Sequence, residues 1–240
     1  MNIRLAVKSI VKKIGVDLRA YHPSRSEAAR LGRLLNHYGV DLVLDAGANS
    51  GQFAEYLRYV GYTGRIVCFE PLVEPYRQLR KLAARDQGIT CAPPMALGEF
   101  DGEINIHVAA NHESSSVLRL MELHAGTERQ MRPVDCRTVP LHRLDSVAQE
   151  YLQGAIRPFL KIDVQGYEAK VLEGAAKLLP RLAGLQLELS LTTLYEGEKP
   201  YGEMLQMVEQ AGFMLHDLNP CYSDPETGRT LQVDALFFRC

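Results

Sequence analysis

The chain has 240 residues, 46% of them hydrophobic and 23% charged, with a formal net charge of -2 and a pI near 6.4. That length and apolar content are enough to bury the core of one large α/β domain. The near-neutral balance lacks the basic footprint of a nucleic-acid-binding domain, so a nucleic-acid partner is disfavoured.

At the start of the chain, "MNIRLAVKSIVKKIG" sets Ile3, Val7, Ile10, Val11 and Ile14 at helical spacing, with Arg4, Lys8, Lys12 and Lys13 between them. The basic residues interrupt the apolar core that a signal peptide needs. The expectation is a helix packed on the domain, with peripheral membrane contact through a basic amphipathic face as the alternative. Residues 1–40 read as a helical N-terminal extension and 41–240 as the main domain. No segment offers the roughly 20 apolar residues needed to span a bilayer. The five cysteines, Cys68, Cys91, Cys136, Cys221 and Cys240, have no C-x-x-C spacing, which fits a reducing cytoplasm.

From Asp41 onward, apolar runs alternate with helix-patterned segments, the signature of a mostly parallel sheet flanked by helices. "LVLDAG" (42–47) is the first strand and "SGQFAEYLRYVG" its helix; "RIVCFEP" (65–71) is the second, followed by a helix over 74–86. Between Ile89 and Val139 the pattern changes to period two, as in "EINIHVA", and predicts an inserted β-hairpin region. "PFLKIDVQG" (158–166) is a buried strand, "YEAKVLEGAAKLL" a helix ending at Pro180, and "LAGLQLELSL" a further strand. "YGEMLQMVEQAGF" is the next helix, and "FMLHDL" with "VDALFFR" supplies the last strands.

In an open α/β sheet, ligands lie beyond the carboxyl ends of the strands, where the first strand-to-helix turn presents backbone N–H groups. "DAGANSG" occupies that place. Counted from Gly47, the dinucleotide fingerprint G-x-G-x-x-G meets Asn49 and Gln52 where it needs glycine, and no G-K-[ST] follows to make a P-loop. What remains, D-x-G-x-N-x-G, resembles motif I of class I methyltransferases that bind S-adenosylmethionine. Gly47 and Gly51 would allow close backbone approach to that ligand, the helix start would meet its carboxylate, and Asp45 could accept from its ammonium directly or through water. Glu70 ends the second strand nineteen residues after Gly51, near the spacing of ribose-binding acids.

With "LDAGANSGQFA" and "FEPL", three later segments, "ALGEFDGE" (96–103), "ESSSVL" (113–118) and "LKIDVQGYEAKVLEGA" (160–175), resemble the FkbM-type methyltransferase family over roughly residues 40–240. The resemblance implies a class I Rossmann-like fold and methyl transfer from S-adenosylmethionine, usually to a hydroxyl of a sugar, glycolipid or related secondary metabolite. It carries Asp45, Gly47, Asn49, Ser50, Gly51 and Gln52 to the cofactor turn, Glu70 to the ribose, and Ala96 to the cofactor-binding face. Many relatives have Glu where this chain has Gln165, which leaves less negative charge there and bears on any metal role.

Transfer from a sulfonium to oxygen requires in-line alignment and removal of the hydroxyl proton. Asp163, at the end of "LKIDV", is the leading candidate for general base or hydroxyl orienter, with helix capping as its bland alternative. Glu188 ends the next strand and with Asp163 could form an oxygen-rich Mg²⁺ site, or the two carboxylates share a proton or bond separately. His112 is the histidine closest to a catalytic assignment, because "NHESSS" clusters it with Ser114, Ser115 and Ser116. Ser115, Ser116 and Tyr195 are the candidate acceptor contacts, a surface loop and ordinary burial being the alternatives. Lys161 receives no chemistry, and Glu168 reads as a helix-start residue. Two other readings stay in view: an NAD-dependent oxidoreductase on the same sheet, and a non-catalytic scaffold that keeps the fold. Oligomeric state is not readable from the sequence.

Overall fold

The computed structural model describes residues 7–8, 11–15, 22–121 and 132–239. Ile3 and Ile10 of the expected N-terminal amphipathic helix lie outside the described residues, as does Cys240. Among the described residues, no helix is long and apolar enough to cross a membrane.

The first helix, α1 (Glu27–His37), begins where the Ser26 hydroxyl accepts from Ala29 N–H, and it buries Leu31 and Leu35. Then come β1 (Leu42–Ala46), α2 (Gln52–Tyr59), β2 (Arg65–Phe69), α3 (Val73–Ala83) and β3 (Ile89–Cys91). The short β4 (Ala96–Leu97) precedes a hairpin of β5 (Gly102–Ala109) and β6 (Pro133–His142). After α4 (Leu144–Val147), the chain forms β7 (Pro158–Ile162), α5 (Glu168–Gly174), β8 (Gly184–Ser190), α6 (Tyr201–Gln210), β9 (Met214–Ser223) and β10 (Thr230–Phe238).

Seven strands form one sheet in the order β3-β2-β1-β7-β8-β10-β9, parallel except where β10 runs antiparallel to β8 and β9. This is the mostly parallel, helix-flanked arrangement expected. Alternate residues of the same strands feed two cores. Leu42, Leu44 and Ala46 face a cluster with α5 and α6. Val43, Ile66, Phe159 and Phe238 face α1, α2 and α3 through Leu31, Leu35, Ala54, Leu57 and Leu79. Burial on both faces explains why the strands read as unbroken apolar runs.

Two expectations are corrected. Ile89–Cys91 does not belong to the inserted region: it pairs in parallel with β2 as the edge of the main sheet. The hairpin is there, but it forms a separate three-stranded sheet, β4-β6-β5, around Ile106, Val108, Val139 and Leu141. The helix expected to run to Pro180 ends at Gly174. Its continuation unwinds into turns because the Asp145 carboxylate accepts from Lys177 N–H and Leu178 N–H at 2.9 and 3.0 Å.

Candidate active site

The sheet register sets Ala46 level with Phe69 on one side and Ile162 on the other. The residues just beyond these three strand ends therefore converge, at the point where the strand order reverses. Gly47 N–H and Ala48 N–H both donate to the Phe69 carbonyl, and Asp163 N–H donates to the Ala46 carbonyl. A cavity of about 530 Å³ opens there, within the size range of small-molecule sites.

Of the residues assigned to the cofactor turn, Gly47, Asn49 and Gln52 line this cavity, as do Glu70 and Ala96. Asp45, Ser50 and Gly51 are not on its wall. The glycines answer first to packing. Gly47 has φ +77°, and a Cβ there would lie 1.9 Å from the Asp163 carbonyl oxygen; at Gly51, φ +99°, it would meet the Leu82 side chain at 2.6 Å. The turn is pressed against the end of β7 and against α3, which by itself requires glycine at both positions. The turn also satisfies its own donors: Asn49 N–H donates to Glu70 Oε2 at 2.9 Å and Ser50 N–H to Asn49 Oδ1 at 2.6 Å.

Glu70 is 5% exposed, and its other oxygen accepts from Leu72 N–H at 2.7 Å. Burial pushes its carboxyl up to about 7, against the lowering effect of those two backbone bonds. Each oxygen keeps a further lone-pair direction, so the group can still receive the two hydroxyls of a ribose.

Asp45 is fully buried and engaged elsewhere: Lys161 Nζ lies 3.1 Å from its Oδ1 and 3.4 Å from Asp163 Oδ2, and donates to the Gly47 carbonyl at 3.3 Å. Burial opposes the charge on Lys161, but the carboxylates of Asp45 and Asp163 outweigh it and hold the ammonium above its ordinary range. Asp45 therefore supports the turn from behind through Oδ1, while its Oδ2 has no hydrogen-bond partner among the described residues. Lys161 is a residue that sequence reasoning passed over. The signal was present, because a lone lysine in a buried strand must find a carboxylate.

At the other end of the cavity Asp163 and Glu188 are tied together by Gln165. Its Nε2 donates to Asp163 Oδ1 at 2.9 Å and to Glu188 Oε2 at 2.7 Å, and its Oε1 accepts from Tyr195 OH at 2.7 Å. Gln232 Nε2 adds a second donor to Glu188 Oε2 at 2.8 Å. Burial, then the nearby Asp163 and Asp234, hold the Glu188 carboxyl well above the usual range. The Mg²⁺ reading is not supported by this donor set: the Gln165 amide hydrogens point into the gap a cation would need. Among the described residues, no group of three or more His, Cys, Asp or Glu side chains could hold a metal.

The loop after β5 forms a wall of the cavity through His112, Ser115 and Ser116. His112 has φ +56°, and its Nδ1 is buried with no hydrogen-bond partner among the described residues. The serines are engaged within the fold. Ser115 Oγ accepts from Ala109 N–H at 3.0 Å, while Ser116 Oγ donates to the Gln165 carbonyl at 2.5 Å and accepts from Leu118 N–H at 3.0 Å. Gln52 Nε2 reaches across to Glu113 Oε1 at 3.0 Å. Tyr195, expected as an acceptor contact, is 1% exposed and off the cavity wall, and it acts on the site only through Gln165. Glu168 is 4% exposed and caps the turn after β7, Oε1 accepting from Val164 N–H and Gly166 N–H; burial pushes its carboxyl up to about 8.

The sequence profile described as the methyltransferase FkbM domain matches residues 45–215. No curated protein matches the chain. Among solved structures, fibrillarin from Aeropyrum pernix in complex with S-adenosyl-L-methionine is similar at 13% identity and a TM-score of 0.47, over 82% of this chain and 66% of that one, just under two thirds of its length. An rRNA methylase from Streptococcus thermophilus is similar at 14% identity and a TM-score of 0.46, over 92% of this chain and 99% of that one. A precorrin-6y C5,15-methyltransferase from Geobacter metallireducens is similar at 10% identity and a TM-score of 0.43, over 92% and 93%.

Proposed function

We propose that this chain, which belongs to the FkbM methyltransferase family, is an S-adenosylmethionine-dependent methyltransferase acting on a hydroxyl oxygen of a sugar, glycolipid or related secondary metabolite. The observation that carries this reading is the Asp163 side chain. It stands in the cavity wall at the end of β7, one third exposed, across the strand ends from Glu70.

S-adenosylmethionine, when bound, would supply an electrophilic methyl group for the acceptor oxygen, the electron pair of the broken carbon–sulfur bond leaving with sulfur. The chain's own residues would hold and aim the reactants. Glu70 would receive the ribose hydroxyls, and the turn from Gly47 to Asn49, with the start of α2, would border the amino-acid end. Asp163 would take the hydroxyl proton or hold that proton in line while the oxygen attacks. Lys161 on one side and Gln165 on the other fix the Asp163 carboxylate, which keeps a near-attack geometry from being lost to side-chain rotation. His112 lies in the same wall and would serve as a second group for orienting the acceptor.

The test is transfer of a labelled methyl group from S-adenosylmethionine to hydroxylated acceptors, with the product linkage read by mass spectrometry and NMR. A new methyl ether supports the proposal. A label carried on nitrogen or carbon, with hydroxyls untouched, sinks the oxygen assignment and leaves the family membership standing.

A further inference from the structure

Beside the main cavity lies a smaller compartment of about 140 Å³, closed by α1 on its outer side. The two spaces share Phe53, Tyr56, Gln186 and Asp234, and Asp234 pairs across the sheet with Glu188, which puts the compartment beside the Asp163–Glu188 end. Its remaining polar walls are Glu27, from the first turn of α1, and Asn219 of β9. Glu27, Asn219 and Asp234 all fall outside the stretch that matches the family profile. The shared methyl-transfer machinery does not account for them.

Two carboxylates and an amide oxygen give the compartment its acceptors, with Tyr56 OH hydrogen-bonded to Glu27 on one wall. The Gln186 side chain hydrogen-bonds Asp234, yet its Oε1 is buried, with no hydrogen-bond partner among the described residues, in a residue that is only 8% exposed. A buried carbonyl oxygen left without a donor carries a desolvation cost that a ligand N–H or O–H would relieve. Neither Glu27 nor Asp234 forms an ion pair among the described residues. The nearby cations make their close ion pairs with other groups, Lys161 with Asp45 and Asp163 and Arg30 with Asp217, and the Lys161 charge reaches Asp234 only through space. Tyr56 adds an aromatic wall, a surface that favours a cation over a neutral group, while the Phe53 ring already carries the Lys161 ammonium 5.5 Å from its centroid. Burial raises the Asp234 carboxyl only to about 6, so at neutral pH it is mostly ionised and attracts positive charge.

We propose that this compartment receives an ammonium group of the methyl acceptor, so that the substrate class is an amino-bearing polyol, such as an amino sugar or aminocyclitol, with Asp234 as its anchor. The proposal rests on the methyltransferase reading of the main cavity and narrows its acceptor. Glu27 supplies a second carboxylate from α1, and Gln186 Oε1 receives one ammonium hydrogen. The hydroxyl to be methylated then lies on the neighbouring carbons, facing Asp163.

The experiment uses the full chain saturated with S-adenosylhomocysteine at pH 7.5, with affinity for that ligand measured first by calorimetry. The saturated protein is then titrated with trans-2-aminocyclohexanol and, separately, with trans-cyclohexane-1,2-diol, a pair that differs by an ammonium in place of a hydroxyl. The amine is expected to bind saturably, at least about tenfold more tightly than the diol. Asp234→Asn should remove about that factor and leave the affinity for S-adenosylhomocysteine unchanged. Glu27→Gln, in an exposed helix turn, should weaken the amine by a smaller factor and serves if Asp234→Asn does not fold. Equal binding of amine and diol, no saturable amine binding, or indifference to both substitutions overturns the proposal. Failure to bind S-adenosylhomocysteine in the first step instead counts against the reading on which it rests.

Discussion

Glu70 makes cofactor affinity depend on pH in a way that can be calculated. Its carboxyl sits at about 7 because burial outweighs the two backbone bonds from Asn49 and Leu72. In the proposed complex the ribose hydroxyls would donate to the ionised form, so ligand binding would select the deprotonated protein. The sign follows: affinity is weak below the raised value and grows as pH passes through it. For a group near 7, the ionised fraction is about one tenth at pH 6 and about nine tenths at pH 8, so affinity for S-adenosylhomocysteine should rise about tenfold across that interval. Glu70→Gln removes the titration and should flatten the profile at a lower affinity. The parent and variant are compared by calorimetric titration at pH 6, 7 and 8, which cancels titration of the ligand's own amino group and of other protein groups. A parent profile no steeper than that of Glu70→Gln would refute the reasoning that Glu70 holds the ribose.

Asp163→Asn should lower turnover by about 10²–10⁴-fold, the usual worth of a positioned acid or base, while affinity for S-adenosylhomocysteine stays within a few-fold; steady-state rates beside calorimetry would show it. Gly47→Ala sets a Cβ 1.9 Å from the Asp163 carbonyl oxygen at a positive φ, and should cost at least about 2 kcal/mol of stability in urea unfolding. Gln165→Glu replaces the amide between Asp163 and Glu188 with a third carboxylate. It should lower turnover and create a Mg²⁺-dependent rise in melting temperature that the parent lacks. Glu168 has a raised folded-state carboxyl, so the stability linked to its proton is lost as pH rises from about 4.5 towards 8. Glu168→Gln can keep an oxygen on Val164 N–H and Gly166 N–H, and its stability relative to the parent should climb by a few kcal/mol between pH 5 and 8 in denaturant melts.

The sheet was legible because its strands are buried on both faces and each ends in a turn signal, so Leu42–Ala46 and Pro158–Ile162 stand out as apolar runs. Ile89–Cys91 escaped because a three-residue edge strand carries too little pattern to separate it from the hairpin that follows. Motif spacing brought Glu70, Asp163 and Glu188 to one cavity on the page, since strand ends in a parallel sheet are neighbours whatever their sequence distance. Spacing does not report what a side chain touches. The pattern did not show that Tyr195 and Ser116 hydrogen-bond Gln165, or that Asp45 pairs with Lys161. Gln186, Gln232 and Asp234 were missed because their role depends on β10 inserting antiparallel beside β8, a long-range pairing that local pattern does not encode.

The most direct test of the account is a crystal structure of the complex with S-adenosylhomocysteine. The ribose hydroxyls are expected on the Glu70 carboxylate, the amino-acid end along the Gly47–Asn49 turn, and the sulfur towards Asp163, with open space beyond it for an acceptor. A ligand bound outside this cavity, or a sulfur turned away from Asp163 towards the β3 edge, would contradict the central claim that these strand ends form a methyl-transfer site.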